Sequence, residues 1–155
     1  MRSMESKDIK YLVVHCSATP EGVEYSREQI KQMHLKRNFK DIGYHYLIHL
    51  DGTISKGRFD NVPGAHVKGF NDKSLGICYI GGVASDGKTP KDTRTIAQKD
   101  ALIDLLMRLK RKYPLAKIVG HRDLSPDLNH NGVIEPNEWL KACPSFDAIN
   151  EYKGI

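Results

Sequence analysis

The chain has no long hydrophobic run. No stretch of its 155 residues approaches the roughly 18 apolar residues that a membrane-spanning helix needs, so a transmembrane protein is not expected. The opening segment, Met1 to Lys10, is polar and lacks the apolar stretch of a signal peptide, which predicts cytoplasmic synthesis without an export signal. Cysteine is scarce: Cys16, Cys78 and Cys143 are odd in number and show no Cys-x-x-Cys spacing, which argues against a disulfide framework. No repeat and no low-complexity tract appears, and hydrophobic and charged residues, at 39% and 28%, stand at ordinary globular values.

What is present fits one domain large enough to bury its own core. The formal net charge of +5 favours an anionic partner: nucleic acid, anionic lipid or an acidic wall polymer. No interleaved aromatic and basic motif supports nucleic acid, so none is expected as a partner. Arg108, Lys110, Arg111 and Lys112 crowd the end of a predicted helix, where positive charge suits the helix dipole, and a solvated helix end accounts for them.

Hydrophobic period lays out the elements. Tyr11 to Val14 is a buried strand ending at His15. Ser17 to Tyr25 reads as loop. Ser26 and Gln29 form a capping box for a helix over 26–38, with Ile30, Met33 and the stem of Arg37 on one face. Tyr44 to Leu50 and Thr53 to Lys56 form a hairpin about Asp51-Gly52. Residues 57–73 form a long glycine- and proline-bearing loop, and Leu75 to Ile80 a third strand. Thr95 and Gln98 cap a helix stopped by Pro114, with the stripe Ile96, Leu102, Leu105, Leu106 and Leu109. Ala116 to Gly120 is a last strand, and a short helix over 146–152 closes the chain. Strands interspersed with helices predict an α/β single domain, a mixed central β-sheet flanked by helices.

In such sheets ligands gather at the carboxyl ends of strands. His15 and His121 both follow strands, and Cys143 lies in a proline-limited turn. Two imidazoles and a thiolate make three zinc ligands and leave a fourth position open, as in catalytic sites. A single histidine after a strand is more often a hydrogen-bonded core residue, so spacing alone leaves both readings standing. Cys16 and Cys78, on or beside strands, are expected to be core thiols. Tyr44 and Tyr46 are expected to share a face by the period of two, with His45 pointing the other way.

Six blocks carry a resemblance: Val14-His15-Cys16-Ser17-Ala18-Thr19, Gly43-Tyr44-His45-Tyr46, Asp51-Gly52-Thr53, Gly64-Ala65-His66-Val67-Lys68-Gly69-Phe70-Asn71, Ser74-Leu75-Gly76-Ile77 and Lys141-Ala142-Cys143-Pro144-Ser145-Phe146. In this order they resemble the zinc N-acetylmuramoyl-L-alanine amidases, which include amidase-type phage lysozymes and peptidoglycan recognition proteins. The resemblance spans residues 10 to 150. It implies that His15, His121 and Cys143 bind zinc and that Tyr44 and Lys141 assist catalysis. The bond cut would join the lactyl group of N-acetylmuramic acid to the L-alanine of the stem peptide. His66 and Asn71 match the rim of the substrate cleft and are expected to touch muropeptide. On this reading residues 1–9 are a flexible N-terminus and 10–155 a zinc amidase domain, a monomeric phage or prophage endolysin that acts on the wall after release. A non-catalytic muropeptide-binding module, a cytoplasmic wall-fragment recycling amidase and a hydrolase with a cysteine nucleophile are the alternatives. Relatives that only bind typically lack the cysteine ligand, so Cys143 argues against the first of these.

Between His121 and Lys141 the chain runs longer than in compact phage amidases. Residues 127–138 match the calcium-loop pattern D-x-[DN]-x-[DN]-G-x5-E. Asp127, Asn129 and Asn131 would offer side-chain oxygens, Val133 its carbonyl and Glu138 a bidentate carboxylate, with Gly132 at the sharp turn. Calcium is therefore expected as a possible second cofactor, bracing the segment that carries Lys141 and Cys143; a polar surface insertion is the plain alternative.

Overall fold

The computed structural model describes residues 2–155. In chain order its elements are β1 (Tyr11–Cys16), β2 (Thr19–Pro20), α1 (Arg27–Leu35), β3 (Tyr46–Ile48), β4 (Ile54–Lys56), β5 (Ser74–Tyr79), β6 (Gly82–Val83), α2 (Ile96–Lys112), β7 (Lys117–Gly120) and α3 (Ala148–Glu151). Short 3-10 turns fall between several of them. The central sheet runs β4-β3-β5-β1-β7 and is mixed: β1 is parallel to β5 and β7, β3 is parallel to β5, and only the β3–β4 hairpin is antiparallel. Part of the expected loop after β1 instead pairs as β2 with β6.

Side-chain alternation divides the sheet into two faces. Leu12, Val14 and Cys16 of β1, with Leu75, Ile77 and Tyr79 of β5, pack against Leu102, Leu105, Leu106 and Leu109 of α2. Each such fully buried leucine contributes about 1.5–3 kcal/mol relative to exposure. The opposite face carries Val13 with Val67 and Val119, and Leu47, Cys78 and Ile80 under Ile30 of α1. His15, two residues beyond Val13, points to this second face, away from α2.

Both capping boxes form. Gln29 N donates to Ser26 Oγ (3.1 Å) and Ser26 N to Gln29 Oε1 (2.8 Å); Gln98 N donates to Thr95 Oγ1 (3.0 Å) and Thr95 N to Gln98 Oε1 (2.9 Å). Gln98 Nε2 also donates to Ile48 O and Ile80 O, tying the start of α2 to the ends of β3 and β5.

Several expectations are corrected. Ile96 is 80% exposed; it stands six positions before Leu102, about 240° around the helix, and so faces water. On α1 the buried pair is Ile30 and His34, while Met33 is 39% exposed and Arg37 lies past the helix end. His34 is retained inside because its Nδ1 accepts the Gly43 N–H at 2.7 Å. Tyr44 and Tyr46 do not share a face: regular strand begins only at Tyr46, and Tyr44 packs with the α1 cluster while Tyr46 joins the α2 cluster. The N-terminal segment places Met4 and Ile9 in the core, and Met4 N donates to Asn61 O at 2.7 Å. Among the described residues no helix is long and apolar enough to cross a membrane.

Candidate metal centre

Strand register builds the site. Val14 of β1 lies opposite Gly120 of β7, so the next residues, His15 and His121, are brought side by side at the carboxyl ends of two parallel strands. Their rings stand 4.7 Å apart between centroids. The third group arrives from the far end of the chain. Cys16 N donates to Cys143 Sγ (3.1 Å), Arg122 N donates to Cys143 O (2.9 Å), and Tyr79 Oη donates to Pro144 O (2.6 Å). The Cys143–Pro144 peptide is cis. A Cβ on Gly120 would meet Pro144 Cδ at 2.6 Å, so only glycine lets this turn approach β7.

One ligand-type atom from each of His15, His121 and Cys143 falls within 4.8 Å of the other two, and among the described residues this is the one group of three or more His, Cys, Asp or Glu gathered so closely. Cys143 Sγ lies 3.8 Å from His15 Nδ1. Burial, then the neighbouring histidines and the Lys141 charge, holds His15 well below the usual imidazole range. Burial and Lys141 push His121 down to about 4. Both rings are thus neutral at neutral pH, with a lone pair free for a cation. Burial pushes the Cys143 thiol up, a shift that a divalent cation beside the sulfur would reverse. Two neutral imidazoles and a sulfur facing a pocket fit a divalent metal with one position open to solvent.

The pocket above these groups is lined by Tyr44, Phe39 and Leu140 and by the cations Arg37, Lys68 and Lys141, with no aspartate or glutamate among its walls. Tyr44 sets its ring 5.1 Å from that of His15, and burial pushes its phenol well above the ordinary value, so the hydroxyl keeps its proton. Lys141 is exposed at the rim, two residues before Cys143.

His66 and Asn71, expected at the cleft rim, also line this pocket, but both ring nitrogens of His66 and the Oδ1 of Asn71 are engaged within the protein. His66 Nδ1 lies 2.8 Å from His15 Nε2. Asn71 Oδ1 accepts from His66 N (2.9 Å) and Val67 N (3.0 Å), folding the loop that carries His66. The expected calcium residues do lie in one loop. There Asp127 Oδ2 accepts from Gly132 N, Asn129 Oδ1 from Asn131 N, Asn131 Oδ1 from Val133 N, and the Glu138 carboxylate from the N–H groups of Leu128, Asn129 and Glu135. Asp127 Oδ1 is buried without a partner.

The His66–His15 contact, and the place of His34 in the pocket lining, are what residue spacing missed. The signal for the first lay in Gly76, a glycine inside an apolar strand, since such glycines mark the close approach of another group. A Cβ there would meet the His66 ring at 2.8 Å.

Comparison with known proteins agrees with this geometry. Residues 5–144 match the family described as N-acetylmuramoyl-L-alanine amidase. The endolysin of Klebsiella phage KP32 is 38% identical over 141 residues, 91% of this chain and 83% of its own length. The endolysin LysCS of Clostridium intestinale URNW superposes with a TM-score of 0.73 at 24% identity, over 99% of this chain and 87% of that one, a likeness of fold. A structure of the ectodomain complex of peptidoglycan recognition proteins LCa and LCx, solved with tracheal cytotoxin bound, superposes with a TM-score of 0.71 at 27% identity, over 99% of this chain and 86% of that one. With the family match running across nearly the whole chain and a curated relative of this identity, the chain belongs to the N-acetylmuramoyl-L-alanine amidase family and is an amidase by activity.

Proposed function

We propose that this amidase holds zinc with His15, His121 and Cys143 and hydrolyses the bond between the lactyl carbonyl of N-acetylmuramic acid and the L-alanine of the peptidoglycan stem, as a phage or prophage endolysin. The observation that carries this reading is the convergence of those three donors within 4.8 Å at the floor of a cationic pocket. The phage relative supports the endolysin role, and the positive walls suit a polymer whose stem peptides bear carboxylates.

Zinc bound there would supply a Lewis acid and lower the pKa of its water to about 7. In the hydrolysis the oxygen of water bonds to the lactyl carbonyl carbon, the carbon–nitrogen bond breaks, and the departing amine of L-alanine takes up a proton. Negative charge grows on the carbonyl oxygen as this happens, and a donor aimed there favours the transition state over the substrate. Tyr44, which retains its proton, is that hydrogen-bond donor. Lys141, at the rim on the cysteine side, adds positive charge to the same region.

Metal analysis of the purified protein, together with mass spectrometry of digested peptidoglycan, tests the proposal. Close to one zinc per chain and stem peptides with a new L-alanine amine are expected. The Cys143–His15 approach also suits a thiol nucleophile, which chelation would leave active; loss of activity with a chelator and recovery with zinc excludes it. For residues 127–138 calcium remains a proposal supported by the sequence pattern and the unpartnered Asp127 Oδ1. Melting with calcium against excess magnesium tests it, and identical transitions dispose of it.

A further inference from the structure

Behind His15 runs a chain of hydrogen bonds whose polarity is fixed from its far end. Ser74 Oγ lies 2.7 Å from Phe70 O. A carbonyl oxygen only accepts, so the single hydroxyl proton of Ser74 goes to it. Toward His66 Nε2, 3.2 Å away, the same oxygen is then an acceptor, and His66 carries its proton on Nε2. Its Nδ1 is therefore bare and accepts from His15 Nε2 across 2.8 Å. With that proton on Nε2, His15 Nδ1 has no proton, and Nδ1 is the atom that faces Cys143 Sγ.

The His66 ring has little freedom to leave this relay. A Cβ on Gly64 would come within 2.6 Å of its Cδ2, and one on Gly76 within 2.8–2.9 Å of its Cγ, Cδ2 and Nδ1, so the ring is packed against two backbones that carry no side chain. Asn71 Oδ1 holds the backbone N–H of His66 itself. His45 pins the strand on which Gly76 sits: its Nδ1 accepts from Gly76 N at 3.0 Å and its Nε2 donates to Val62 O at 2.7 Å.

We propose that His66 is a positioning residue, which fixes His15 as its Nε2–H tautomer and so presents an unprotonated Nδ1 to the metal, with Ser74 and the Phe70 carbonyl setting the direction of the relay. This rests on the metal site proposed above and gives His66 a task other than contact with muropeptide. An acceptor behind a ligating imidazole fixes its tautomer and ring orientation, and losing it typically weakens metal binding by about 10–100-fold.

The test measures zinc affinity by competition with a chromophoric chelator. His66→Ala is expected to bind zinc about 10–100-fold more weakly than the natural protein, and His66→Asn, whose Oδ1 can stand near the place of Nδ1, to recover most of the loss. Ser74→Ala is expected to lie between the natural protein and His66→Ala. Thermal melts confirm that each variant folds. Independently of any variant, long-range 1H–15N spectra of the zinc-free protein are expected to show His15 and His66 both protonated on Nε2. Nδ1–H on either ring, or unchanged zinc affinity in His66→Ala with a raised KM for muropeptide, overturns the proposal. Failure of the natural protein to bind zinc at all is a different result, which removes the metal site on which it rests.

Discussion

The backbone N–H of Cys16 points at the sulfur of Cys143 across 3.1 Å, joining the end of the central strand to a residue 127 positions later. The sulfur is thereby held where β1 and β7 deliver their histidines. Cys143→Ser keeps a hydrogen-bond acceptor for Cys16 N but replaces a soft sulfur ligand with a poor one. Turnover should fall by more than about a hundredfold, beyond what loss of an outer partner costs, while circular dichroism stays that of the natural protein. Undiminished activity in this variant would remove Cys143 from the metal site.

Tyr44→Phe removes one hydroxyl from the pocket wall and leaves the ring packing in place. Losing one donor to a developing oxyanion costs about 10²–10³-fold in turnover. The loss should fall on kcat with KM little changed, the mark of an interaction made in the transition state. Steady-state kinetics on a soluble muropeptide separates the two, and a change confined to KM would make Tyr44 a binding residue.

Acid should loosen this fold over a defined window. His34 and His45 are buried and pushed by desolvation from 6.5 down to about 4. Between those values the unfolded chain takes up protons that the native protein refuses, so stability rises with pH across the window. Melting temperature of the zinc-free protein is therefore expected to hold level above about pH 6.5 and to drop as pH falls toward about 4. His34→Gln should flatten part of that slope, and an unchanged slope would relieve His34 of the role.

Arg94 locks the C-terminal helix to the rest. Its guanidinium is 1% exposed, paired with both oxygens of Asp92 and both of Glu151, bonded to Tyr152 Oη at 2.9 Å, and set 3.4 Å from the Phe146 ring centroid. Breaking a buried pair costs about 3–5 kcal/mol. Asp92 and Glu151 are 33% and 41% exposed, so solvent screens part of it and about 2 kcal/mol is expected for Arg94→Met in urea unfolding. A loss under about 0.5 kcal/mol would show that water replaces these bonds freely.

Period and punctuation made much of the architecture legible. The capping pairs Ser26/Gln29 and Thr95/Gln98 are local, four-residue features, and both form as read. His15 and His121 were legible as site residues because each ends an apolar strand. What eluded the pattern depended on contacts distant in sequence. Ile96 counted as apolar, yet its angle on α2 turns it to solvent, and Tyr44 fell outside the strand whose period had been extended to it. His66 could not be tied to His15 by spacing, since 51 residues separate them and it is the loop before β5, folded back over Gly76, that brings them together.

His15 and Cys143 are 128 positions apart, yet their donor atoms nearly touch. An ion gripped by both would act as a removable cross-link, closing most of the polypeptide into one ring and holding its two ends against separate fraying. Metal occupancy and global unfolding would then be one equilibrium, with the melting temperature climbing as free zinc rises.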